Sequence, residues 1–144
     1  MTLSSKPAAV LAWSLLVAAP LLGAPACAGE DCVDVSTSCE PLYEPTFDNV
    51  WQNTLVTSCA VGSTCHSAGA DRGGLTLDDA DRAYDELLGN GGDDPRVSPG
   101  DPGCSEVIRR LVSDDSGEVM PPGSALSEAE RCAVIQWVAN GAER

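Results

Sequence analysis

Cys59-Ala60-Val61-Gly62-Ser63-Thr64-Cys65-His66 holds two cysteines and the only histidine of the 144-residue chain. An apolar periodic stretch leads into it. Phe47, Val50, Trp51 and Leu55 recur at i, i+3, i+4 and i+8, the period of one helical face. Pro45 with Thr46 or Asp48 can start that helix, which is expected to run to about Ser58. A Ser-, Gly- and Ala-rich loop follows through Gly74.

Three more helices are expected downstream. Asp78 can cap one in which Ala80, Ala83, Tyr84, Leu87 and Leu88 face inward and Gly89 is the stop. Asp101-Pro102 reads as N-cap and first residue of another, with Cys104, Val107, Ile108, Leu111 and Val112 on its apolar side. Ser127 to Glu130 is a capping box opening the last, which carries Val134, Trp137 and Val138 and stops at Gly141. No alternating strand pattern is present. The expected fold class is all-α: about four short helices joined by long loops, over residues 46–144, with residues 29–45 as an acidic, irregular lead-in.

The N-terminus reads as an export address. Lys6 precedes an apolar run, Ala8 to Leu22, and a series of small residues ends at Ala28. Cleavage after residues 1–28 makes Gly29 the first mature residue. In a second reading, Cys27 is a lipid-modified N-terminus and provides the only membrane attachment. The chain is thus expected to be exported, and either periplasmic or anchored at a membrane or cell surface. Without residues 1–28 it has seven Arg against 22 Asp and Glu, a net charge of −15. That balance argues against nucleic acid or an anionic membrane surface as partner, since both require a basic face.

Six cysteines remain in the mature part: Cys32, Cys39, Cys59, Cys65, Cys104 and Cys132. In an exported domain with so few aromatic side chains, bridges are expected to supplement a thin core. Cys32–Cys39 would close a local loop, and Cys104–Cys132 would staple two helices. Cys59 and Cys65 are left, and they have two readings. They could bridge each other, with His66 an ordinary loop histidine. Alternatively, they could bond the vinyl groups of a haem whose iron is carried by the adjoining His66. Met120, the only methionine of the mature part, is then the natural sixth ligand.

Cys65-His66 after an apolar helix, Gly73-Gly74-Leu75, Pro99-Gly100-Asp101-Pro102, Met120-Pro121-Pro122, and Leu126-Ser127-Glu128-Ala129-Glu130 leading to Trp137 and Gly141-Ala142 occur in one order. That order resembles small exported bacterial cytochrome-c-like domains of the lipoprotein-like kind, over about residues 45 to 142. The resemblance implies one haem c held between an N-terminal and a C-terminal helix. It makes His66 the proximal ligand, Met120 the distal ligand, Cys59 and Cys65 the thioether residues, and Trp51 and Trp137 walls of the crevice. This chain departs from the family in its spacing. Haem attachment uses C-x-x-C-H, whereas five residues separate Cys59 from Cys65, so the stretch must bulge for both sulfurs to reach the same group.

Other chemistries find less support. The donors around His66 lack a fourth ligand at zinc spacing. Asp78, Asp79 and Asp81 lack the order of a calcium loop and suit a helix start. Asp93-Asp94 and Asp114-Asp115 read as exposed turns. No enzyme nucleophile is evident. The expectation is an electron carrier, not an enzyme, whose redox protein partner has a basic docking patch. The alternative is a haem-free, disulfide-stapled periplasmic or surface interaction domain that keeps the same helices.

Overall fold

The computed structural model describes residues 1, 32–92 and 94–144. The cleavage site, Cys27 and Asp93 lie outside the described residues. Helix α1 is Phe47–Val50, capped by the Thr46 side chain, and it continues without a break as a π-helix over Trp51–Cys59. The others are α2, Ala80–Leu88; α3, Glu106–Val112; and α4, Glu128–Ala139. A short turn, Arg72–Gly74, lies between the first and second helices. Among the described residues there is no strand, and no helix is long and apolar enough to cross a membrane. Among the described residues the fold is all-α, with the expected number of helices.

The π-helical turn has a local cause. Asn53 Nδ2 donates to the Asn49 carbonyl and Thr57 Oγ1 to the Asn53 carbonyl, each four residues back. Side chains that take carbonyls of the preceding turn loosen the backbone ladder. The Ala60 amide bonds Leu55 O, five residues back, at 2.9 Å. The wider turn places Thr54, Leu55, Ser58 and Cys59 along one wall of an apolar cavity.

The helix starts follow from side-chain chemistry, with two corrections. Asp79, not Asp78, caps α2 by accepting from Arg82 N at 2.9 Å. Asp78 instead accepts from the Ala68 amide at 2.9 Å and ties down the loop behind His66. Asp101-Pro102 does not open α3. Asp101 Oδ1 accepts from Cys104 N within a turn, and the helix begins four residues later, after Ser105. The Ser127–Glu130 capping box is present in both directions at α4.

The core lies where α1 and α4 meet. Phe47, Val50, Leu87, Ile108, Val134, Trp137 and Val138 are all buried there. Phe47 packs edge-on against Tyr84 at 4.9 Å and tilted against Trp137 at 5.7 Å. The two tryptophans serve this packing: Trp137 Nε1 donates to Glu143 O and Trp51 Nε1 to Leu77 O. Neither lines the cavity described below, contrary to the crevice-wall expectation.

The cysteine pairing also differs from expectation. Cys32 is bonded to Cys104 and Cys39 to Cys132, so neither Cys32–Cys39 nor Cys104–Cys132 forms. The lead-in is therefore not closed on itself; it crosses the domain, stapled before α3 and within α4. Backbone bonds follow the same path, from Val33 N to Gly103 O and from Leu42 N to Ala129 O. Gln136 Nε2 donates to the carbonyls of Thr37 and Cys39. Two such bridges belong to a chain that matures in an oxidising compartment, consistent with an exported protein.

Candidate functional site

Cys59, Cys65, His66 and Met120 line one cavity of about 430 Å³. Its other walls are mostly apolar: Leu55, Leu75, Leu77, Val107, Leu111, Pro121 and Pro122. The volume is ordinary for a small-molecule or cofactor site. Cys59 and Cys65 are both free thiols, so the alternative Cys59–Cys65 bridge is not made.

The five intervening residues leave the path of the chain as a loop. His66 N donates to Cys59 O at 3.1 Å across that loop. In a C-x-x-C-H run the histidine stands four residues after the first cysteine, and a helical turn would make that same bond. The longer spacing thus returns to the local relation of the shorter one. Val61 to Thr64 are exposed, Gly62 turns the loop with φ +64°, and its carbonyl accepts from Ser67 Oγ at 2.6 Å.

His66 is held on two sides by one extended segment, Leu75 to Leu77. Leu77 N donates to His66 O at 2.7 Å, and His66 Nδ1 lies 3.3 Å from Leu75 O. A carbonyl oxygen only accepts, so Nδ1 is the donor in this contact, which leaves Nε2 as the nitrogen free to serve as a ligand. The segment is itself braced. Thr76 N donates to Glu86 Oε2 at 2.6 Å, Thr76 Oγ1 to Asp71, and Trp51 Nε1 to Leu77 O at 3.0 Å. Spacing gave no signal for this bracing, because its members come from the π-helix, α2 and two loops.

Met120 is carried by the loop after α3 and tied back to that helix through Met120 N to Arg110 O at 2.9 Å. That backbone bond, rather than a Cys104–Cys132 bridge, positions it. Burial pushes the Cys59 thiol up to about 11, and the neighbouring Cys65 adds to the shift. Among the described residues no three His, Cys, Asp or Glu side chains converge to hold a bare metal ion. The arrangement is an apolar cavity bordered by two thiols, one imidazole nitrogen and one thioether. Sequence reading also missed Arg72, Arg96, Arg110 and Glu106, which line the same cavity.

No curated protein and no solved structure matches the chain. A family model described as Planctomycete cytochrome C matches residues 63–124. The matched stretch takes in Cys65, His66 and Met120 and begins after Cys59. The fold, the cavity and this match agree on a cytochrome-c-like domain.

Proposed function

We propose that the chain is an exported, c-type-cytochrome-like electron carrier with one haem c in this cavity. The observation that carries the reading is the convergence of Cys65, His66 and Met120, the last of them 54 positions beyond His66, on one apolar cavity with Cys59 beside them. The donor set suits the group: the thiols would form thioether bonds, and imidazole with thioether sulfur would be its iron ligands, a set that raises an electron-transfer potential. When bound, the iron supplies the one-electron ferric–ferrous couple.

The chain's own residues have separate tasks. Cys59 and Cys65 anchor the group. His66 presents Nε2 because Leu75 O holds Nδ1–H, and that bond also makes the imidazole a stronger donor. Met120 would supply the thioether ligand from the loop after α3. Leu55, Leu77 and Leu111 exclude water, which favours the less charged reduced state. The acidic exterior steers a redox protein with a basic docking patch, and this encounter weakens as salt rises.

A pyridine haemochrome spectrum with an intact mass of the purified mature protein tests the reading. A Soret band and the added mass of one haem are expected. A mass equal to the polypeptide with two disulfides, and no Soret band, would overturn it in favour of a haem-free interaction domain. That alternative has lost one support, since its third bridge would be Cys59–Cys65 and both are free.

A further inference from the structure

Helix α2 ends on two acids, Asp85 and Glu86, with no basic residue in its last turn. That is the sign the negative end of a helix disfavours. Asp85 is exposed, but Glu86 is turned inward, with its side chain 15% exposed. Its carboxylate is held at both oxygens. Oε2 accepts from Thr76 N at 2.6 Å, and Oε1 accepts from Arg82 Nε at 2.6 Å.

Thr76 is fully buried, and its hydroxyl is turned away to Asp71. Its amide shares one peptide group with the Leu75 carbonyl, the same carbonyl that His66 Nδ1 approaches at 3.3 Å. This peptide is trans, so its N–H and C=O point to opposite sides. The Glu86 carboxylate therefore stands on one side of the group and the His66 imidazole on the other. Peptide resonance moves electron density from nitrogen to oxygen. An anion bonded to the N–H favours that form, which makes the carbonyl a better acceptor, and more so away from water.

We propose that Glu86 is a positioning residue for His66, acting through the Leu75–Thr76 peptide: its charge strengthens the Nδ1–H bond and so keeps Nε2 the more strongly donating nitrogen. Arg82, whose side chain is 47% exposed, shares the charge of Glu86 and moderates the effect. The inference rests on the haem reading for what Nε2 binds, but the relay itself belongs to the haem-free chain.

Nitrogen NMR of the haem-free mature chain, with both disulfides formed and no polyhistidine tag, provides the test, because His66 is then the only imidazole. At a pH where the ring is neutral, the Nδ1–H form is expected to predominate over the Nε2–H form. Glu86→Gln keeps an acceptor for Thr76 N and removes the charge. It should lower the ratio of the two forms about threefold and move the Thr76 amide proton upfield. Arg82→Gln should shift both in the opposite direction, because the carboxylate no longer shares its charge. Bracing without the charge predicts otherwise: Glu86→Gln would match the unmodified chain, and Arg82→Gln would lower the ratio by loosening Glu86. Either result overturns the relay, as does a predominant Nε2–H form in the unmodified chain. If Glu86→Gln does not fold, Arg82→Gln decides. In the haem-loaded chain, Glu86→Gln should raise the midpoint potential and Arg82→Gln lower it, since a stronger donor favours the ferric state. Potentials that stay unchanged or move the other way overturn the relay. A ratio that responds to both variants in a chain that never acquires haem in the cell would sink the haem reading and leave the relay standing. Covalent haem with a ratio that neither variant changes would do the reverse.

Discussion

His66 is the residue on which the proposed site depends most, because no other histidine can take its place. His66→Ala should abolish the low-spin ferrous spectrum, and a spectrum unchanged in that variant would reject the proximal assignment. Met120→Ala should leave the haem attached but high-spin or water-ligated, with a lower potential. A sulfur-to-iron charge-transfer band that persists would exclude Met120. Cys59 gives a test that needs no cofactor. Its folded thiol is pushed up to about 11 from an ordinary 9.0, first by burial and then by Cys65. Between those values the folded chain keeps a proton that the unfolded chain has lost. Stability of the haem-free chain should therefore be insensitive to this group below about pH 9 and fall as pH rises towards 11. Urea midpoints against pH should fall more steeply between those values in the unmodified chain than in Cys59→Ser, the remaining slope belonging to groups such as Tyr43, which burial also pushes up. Rapid alkylation of Cys59 at neutral pH would show that the thiol is not buried.

At the scale of elements, the caps and the crossing points of the chain carry the order. Ser127 and Glu130 each satisfy the other's amide at the start of α4. Ser127→Ala should lower stability by about 1 kcal/mol in urea unfolding and leave the disulfide map unchanged. A cost near zero would mean that α4 is held by packing alone. Gly103 is a different case. Val33 N donates to Gly103 O at 3.0 Å, and a Cβ on Gly103 would run into the Val33 carbonyl. Gly103→Ala should displace the lead-in and leave Cys32 and Cys104 partly as free thiols after oxidative refolding. Complete bridging in that variant would show that the lead-in can approach by another path.

Across the whole molecule, the two bridges span 72 and 93 residues and tie the lead-in to the start of α3, which lines the cavity, and to α4, which lies in the core. Chain-entropy estimates for such loops come to about 4–5 kcal/mol each, in a molecule whose aromatic core is little more than Phe47, Tyr84 and Trp137. Replacing Cys39 and Cys132 by Ser should lower unfolding stability by roughly 4 kcal/mol. Peptide mapping without reduction should join the Cys32 peptide to that of Cys104 and the Cys39 peptide to that of Cys132. Recovery of a Cys104–Cys132 linked peptide would reject this topology.

The helices were legible in the sequence because their determinants are local. The spacing of Phe47, Val50, Trp51 and Leu55, the glycine stop at Gly89 and the Ser127–Glu130 box act within a few residues, so the chain signals them directly. Cys59, Cys65, His66 and Met120 stood out as well, because His66 is the only histidine and Met120 the only mature methionine. What joined them, and what joined the cysteines, was not local. Six cysteines permit 15 pairings, and proximity along the chain favoured Cys32–Cys39, whereas the lead-in crosses the domain instead. Asp78 and Asp79 are equivalent cap candidates on paper; only the loop behind His66 assigns one of them elsewhere. Arg96, Arg110 and Glu106 carry no motif, and their meeting at the cavity depends on how α3 packs beside the Arg72–Gly74 turn. Sequence by itself determined the helices and the chemically distinctive side chains, since both are properties of short segments. Tertiary structure decided the disulfide topology, the bracing of His66 and the charge around the cavity, since each is set by which distant segments fold against one another.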